Sequence, residues 1–170
     1  MKKTAKILFV LVAFLLAWVN LVGHPHFNKT LTVKVGNVEA KLAYFTAPAN
    51  EEHVQNAPVG EYIKSFATLS LSADVTVGEI TLKAGDYNIG AFKNNEAGSD
   101  FTLALHEGKL GFQDSPDAAK VIKLPSMFSK ENGKAEHMTF DIAPGFGNFE
   151  GKAVLIWHFG SYFLAGQIGG

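Results

Sequence analysis

The chain has 170 residues, with 15 basic and 16 acidic side chains, and every basic one is lysine. The lack of arginine excludes planar bidentate reading of phosphate, carboxylate or guanine. The lack of cysteine excludes disulfides, thiolate metal sites, a cysteine nucleophile and a lipobox anchor.

Lys2, Lys3 and Lys6 precede the apolar run ILFVLVAFLLAWV, Ile7 to Val19, which has the basic and short apolar regions of a secretory signal peptide. A bilayer-spanning helix needs about 20 apolar residues, and this run is shorter. The expected boundary falls after Gly23, giving a signal peptide over 1–23 and one domain over 24–170. A cut at Ala17 and an uncleaved anchor extending through Asn20 to Gly23 are the alternatives. The leader takes three lysines and no acid with it, leaving 12 basic against 16 acidic residues. The exported chain, bound for the periplasm or the exterior, is therefore expected to avoid nucleic acid and to have no membrane span.

Beyond the leader the pattern is strand after strand. LTVKV (Leu31 to Val35) and VEAKLAY (Val38 to Tyr44) alternate about Gly36-Asn37, a hairpin signal. ATLSLSADVTV (Ala67 to Val77) keeps period two throughout, which predicts one long strand with Leu69, Leu71, Val75 and Val77 on the core face. Further strands are predicted at EITL, DYNIGAF, DFTLALH, AAKVIKL, EHMTFDI, KAVLIWHF and YFLAGQI, separated by Gly, Asn, Asp and Pro clusters. Regular short strands point to an all-β, single antiparallel β-sandwich, jelly-roll-like or barrel-like.

The last third permits a register. Gly160-Ser161 reads as a two-residue turn, setting Trp157 opposite Leu164 on a central strand. Pairing Ile142 with Ala153 then sets Phe140 opposite Leu155, Met138 opposite Trp157 and His137 opposite His158.

SADVTVGEITLKAGDYNI, Ser72 to Ile89, resembles the most recognisable stretch of the bacterial family called domain of unknown function 2911, with its similar strand, turn and Ala-Gly-x-Tyr strand. YFTAP (Tyr44 to Pro48) is similar to the family's Tyr-Ser-Arg-Pro step, and PVGEYI (Pro58 to Ile63) to its Pro-Tyr-Gly-x-Val-Trp segment. Where the family reads Trp-Arg-Thr-Gly-Ala-Asn-Glu, this chain has Ile63-Lys64-Ser65 and passes directly into Phe66-Ala67-Thr68. The resemblance implies an exported β-rich domain, and no chemistry, since the family has no assigned activity.

No Gly-x-Ser-x-Gly, Ser-x-x-Lys, His-Glu-x-x-His or P-loop pattern is present, so an enzyme is not expected. NNEAGSD (Asn94 to Asp100) and QDSPD (Gln113 to Asp117) carry oxygen ligands but no EF-hand spacing, and read as solvated turns. A chain starting at His24 would offer a free amine and an imidazole, two arms of a copper-binding histidine brace. Pro25 has no amide proton, so copper binding by a third-position His26 through deprotonated amides is blocked. The remaining arm would come from His137 or His158, with His106 and His53 as further candidates. In the loop PGFGNFEG, Phe146 and Phe149 either present a contact surface or tuck beneath the loop.

The expectation is thus a non-catalytic binding module for a small ligand, a glycan or a protein, with Phe146 and Phe149 as contacts and no cofactor. The alternative is a periplasmic copper-binding protein using His24, His137 and His158.

Overall fold

The computed structural model describes residues 26–94, 101–147 and 150–169, so the expected leader lies outside the described residues. The first hairpin joins β1 (Asn28–Val35) to β2 (Val38–Phe45), with Val35 opposite Val38 across Gly36-Asn37. A short helix, α1 (Glu51–Asn56), precedes β3 (Tyr62–Leu71), a small hairpin of β4 (Val75–Val77) and β5 (Ile80–Leu82), then β6 (Gly85–Lys93) and β7 (Phe101–Glu107). A 3-10 turn at Ala118–Lys120 leads into β8 (Val121–Lys123), followed by β9 (Ser126–Ser129), β10 (Ala135–Pro144), β11 (Ala153–Gly160) and β12 (Tyr162–Ile168).

Six strands form one antiparallel sheet in the order β1-β2-β3-β6-β7-β8, and four form a second in the order β10-β11-β12-β9. Alternate residues of each, such as Leu42, Leu69, Ile89 and Leu103 on one side and Phe140, Leu155, Trp157 and Leu164 on the other, make a single core. Rings bridge the sheets where Tyr44 meets Phe140 and Phe101 meets Tyr162, with centroids 5.5 and 5.4 Å apart. The all-β antiparallel sandwich read from the alternation is the fold observed.

Several elements depart from the sequence pattern. The run Ala67 to Val77 is two strands, because the chain turns at Ser72–Asp74. Ser72 exchanges hydrogen bonds with the backbone of Glu39, and the Asp74 carboxylate accepts from Ala84 N–H and Lys83 Nζ. Val75 and Val77 still point inward, so the alternation survives a break that it could not reveal. AAKVIKL begins as a 3-10 turn capped by Asp117 rather than as strand. Neither α1 nor β9 was expected. The signal for α1 was Asn50, whose side chain caps the His53 N–H, followed by Glu51 and Glu52 in the first turn.

The final hairpin has the expected turn, with Phe159 opposite Tyr162 and Trp157 opposite Leu164 on the internal strand β11. The preceding register is corrected by two residues: Phe140 faces Trp157, Ile142 faces Leu155, and His158 faces Thr139 instead of His137. An even slip keeps every side chain on its face, which is why hydrophobic pattern alone did not detect it. Its cause lies in the stretch Glu136–Met138, which bonds to a different segment: Met138 N–H donates to Ala47 O and Ala49 N–H to Glu136 O.

A second irregularity shapes the sheet near α1. Between Lys64 and Ala67 the pairing of β3 with β6 skips Ser65 and Phe66. Asn88, 1% exposed, fills this bulge, donating through Nδ2 to Ser65 O (2.9 Å) and Ala67 O (3.1 Å) and accepting from Tyr62 Oη–H (2.8 Å). The Tyr62 ring lies over Gly90, where an added Cβ would come within 2.5 Å of Cζ. Ser65 Oγ closes the network, donating to Ile89 O and accepting from Ala67 N–H. Asn88→Leu keeps the volume but withdraws donors from buried carbonyls, at an expected cost of about 1–3 kcal/mol. Urea unfolding should show a lower midpoint at unchanged slope. An unchanged midpoint would show that the bulge does not need the amide.

Candidate functional site

The bulge, α1 and one end of the second sheet enclose a cleft of about 410 Å³. Its inner wall is Ile63, Val54, Met138, Trp157 and Phe159, the ends of apolar faces that elsewhere meet across the core. Behind that wall lies a void of about 10 Å³ that shares Val54, Trp157 and Phe159 and reaches Phe101, Tyr162 and Leu164. At this mouth the core continues into a space of the size that holds small organic ligands.

Two exposed aromatics stand at the rim. Phe66, carried outward by the bulge, is 48% exposed, and Phe112, on the loop between β7 and β8, is 78% exposed. Their rings stack at 6.1 Å with planes 8° apart. Lys64 holds this loop in place, its ammonium donating to the carbonyls of Gly111 (2.9 Å), Phe112 (2.7 Å) and Asp114. The Asp114 carboxylate accepts from Gly111 N–H, and that of Asp117 from Ala119 N–H, so both acids of QDSPD act as turn caps.

The remaining side is α1, fastened to both sheets. The Lys93 ammonium of β6, on a residue 3% exposed, donates to the last carbonyls of the helix at Gln55 and Ala57. Gln55 Nε2 donates to Tyr162 Oη, and Glu51 accepts from Ser161 N–H and Oγ–H at 2.9 and 3.0 Å. Gly160 suits that turn in two ways: its φ is +59°, and a Cβ there would fall 2.3 Å from Glu51 Oε1. Burial pushes the Glu51 carboxyl upward, but the two Ser161 hydrogen bonds and Lys134, 3.6 Å away, outweigh it and hold it below the ordinary range.

The polar side chains of the lining are Asn50, His53, Lys64 and Ser65, with Trp157 in the wall. The Trp157 indole N–H is buried and has no acceptor among the described residues. Lys64 carries its charge without a carboxylate within ion-pair distance among the described residues, and His53 stands exposed on α1. Asn50 has its carbonyl oxygen engaged by His53 N–H, which leaves its amide as a donor. Among the described residues no Asp or Glu lines the cleft; Glu61 lies in the adjoining groove, which shares His53, Ile63 and Lys64 with it.

Of the candidate site residues singled out from the sequence, His53 lines the cleft, and Phe146, His106, His137 and His158 do not. Phe146 is 93% exposed on its loop, so this ring does not tuck beneath it; Phe149 lies outside the described residues. His24 also lies outside them. His137 sits beside the first described residues, its ring 6.0 Å from that of His26, while His158 approaches Gly133 O at 3.3 Å and packs against Phe163. His106 is buried against Tyr62, its Nε2 accepting from Asp117 N–H. Among the described residues no group of three or more His, Asp or Glu side chains is placed to hold a metal ion. None of their helices is long and apolar enough to cross a membrane.

The cleft itself was missed in the sequence. Its one local sign was the aromatic Phe66 interrupting the polar face of an alternating strand. Comparisons with protein-family models, curated proteins and solved structures found no match. The segment Ser72 to Ile89 forms a turn, the β4–β5 hairpin and the start of β6, away from the cleft lining.

The helix fastening has a pH signature. A carboxyl whose folded value is lowered contributes stability that is complete above its ordinary value of 4.5 and is lost as pH falls through the folded value. Glu51→Gln should therefore lower the melting temperature at neutral pH, by about 1 kcal/mol of stability or less given its partial exposure. The gap from the parent should close on acidification. A gap that stays constant from neutral pH to below the folded value would exclude ionised Glu51 as the fastening.

Proposed function

We propose that this chain is an exported, non-catalytic binding domain whose small-molecule ligand enters the cleft between the bulge of β3 and α1. The observation carrying this reading is the cleft: an apolar wall continuous with the core, open at one end and rimmed by two exposed, stacked phenylalanines. Exposed aromatics at the mouth of an apolar space favour association, because their burial removes apolar area from water at roughly 25 cal/mol per Å².

The side chains in the lining favour binding over catalysis. Lys64 is saturated by three carbonyls, and the Ser65 hydroxyl both donates and accepts within the bulge, so neither is held as a nucleophile or a general base. Phe146 is a separate surface contact for a partner protein or glycan, at the opposite end of β10 from Met138. Export rests on the amino-terminal lysines and apolar run.

A saturable complex with the uncharged dye Nile red, monitored by energy transfer from Trp157, tests the cleft. Replacing Phe66 and Phe112 together with serine should weaken the complex by tenfold or more. The melting temperature should move by less than about 2 °C, since both rings are largely outside the core. Binding that is unchanged in the double variant would place the ligand elsewhere.

A copper site at the chain start is the second reading, favoured by one observation. His26 Nδ1 lies 2.7 Å from Thr46 O. A carbonyl only accepts, so Nδ1 carries the proton and Nε2 keeps the lone pair that a metal takes. With His137 adjacent, these two rings and an amine at His24 would make the donor set, and His158 would have no part in it. Copper titration of a chain beginning at His24 should give one tight equivalent that His137→Ala weakens at least tenfold and His158→Ala leaves intact. Equal effects of the two variants would remove this reading.

A further inference from the structure

We propose that the cleft is built for an apolar monocarboxylate, a molecule with one hydrocarbon or aromatic body and one anionic head. The inference rests on the cleft being the ligand site and goes further by fixing the sign of the ligand's polar end.

It follows from the polarity of the lining. An apolar wall selects an apolar body, but the few polar groups around it determine orientation and specificity. Here those groups are the ammonium of Lys64, the imidazole of His53 and the primary amide of Asn50. Asn50 has already engaged its oxygen with His53 N–H, which leaves its amide as a donor. Ser65 is internally satisfied. The lining thus carries one fixed positive charge, that of Lys64, and among the described residues no carboxylate.

Lys64 is the main source of the field. Its three N–H groups are taken by neutral carbonyls, which orient the ammonium without cancelling its charge. Glu61 in the adjoining groove and Asp114 on the loop keep their negative charges and offset part of it, but neither side chain lines the cleft. Asp114 turns its carboxylate to Gly111 N–H, and Glu51 turns its own to Ser161 and Lys134. A cation fixed at the edge of an apolar cleft, where the effective dielectric is below that of water, attracts an anion more strongly than the same cation in solution. A carboxylate at the mouth would meet this field near exposed His53, with its apolar body against Met138, Trp157 and Phe159. A cationic head in the same position would be repelled, and a neutral head would gain only the apolar contact.

Calorimetric titration of the full chain with octanoate, octanol and octylamine separates these cases, since the three share one hydrocarbon tail. The expected order is octanoate at least tenfold tighter than octanol, with octylamine weakest. Lys64→Gln should bring octanoate to the affinity of octanol, and Lys64→Arg should keep the preference. Octanol binding serves in each variant as the measure of an intact cleft. If Lys64→Gln abolishes octanol binding too, the same comparison is made with His53→Gln, which leaves the loop bonds untouched and should reduce the preference for octanoate. Octanol and octanoate binding equally to the parent would overturn the carboxylate inference while the cleft stands as a binding site. Failure of all three to bind would overturn both. An octanoate preference that survives both Lys64→Gln and His53→Gln would overturn the assignment of the field to this rim.

Discussion

The two-residue bulge in β3 is the constraint from which the rest of this end of the molecule follows. A sheet ladder cannot simply omit Ser65 and Phe66 in a buried region, because the backbone groups displaced there must still find partners. The Asn88 amide and the Ser65 hydroxyl supply them. With that satisfied, the strand can carry Phe66 at the rim and Lys64 beneath the β7–β8 loop, the two residues that define one side of the cleft. The parity of β3 is unchanged across the bulge, so Ile63 on one side and Leu69 and Leu71 on the other all face the core.

The opposite side depends on a helix too short to be stable by itself. Six residues do not overcome helix nucleation in water, so α1 exists because both sheets hold it. A buried lysine from the six-stranded sheet takes its carboxyl-terminal carbonyls, and the β11–β12 turn of the four-stranded sheet takes its first glutamate. The buried charge of Lys93 is tolerable because it is hydrogen-bonded and placed where a helix end favours a cation. In tying the sheets together here, α1 and its cap also place Asn50, His53 and Val54 in the cleft lining.

Polarity and position divide the labour among the histidines. His106 is a buried member of the Tyr62 region, His53 stands at the cleft, and His26 and His137 meet where the chain enters the first sheet. His158 belongs with Phe163 and Gly133 on the second sheet. A sequence presents these only as scattered imidazoles, and strand register decides which of them become neighbours.

Local and periodic features were legible in the residues alone: the alternation that makes every long strand two-faced, the Gly36-Asn37 and Gly160-Ser161 turns that set their hairpin registers, and the burial of Trp157 on a central strand. These follow from a side-chain period of two and from turns of fixed length, both of which act between near neighbours. Tertiary structure decided everything that depended on a distant partner. The slip of β10 against β11 arose because Glu136–Met138 bonds to Ala47–Ala49, and a shift of two residues leaves the hydrophobic pattern unaltered. The helix took its stability from Lys93 and Ser161, and the break after Leu71 from Glu39 and the Lys83–Ala84 segment. The cleft joins Asn50, Ile63, Phe112 and Trp157, residues far apart in the chain whose conjunction is set by how two sheets pack. Hydrophobic pattern specifies that a face is buried; it does not specify where two such faces fail to meet.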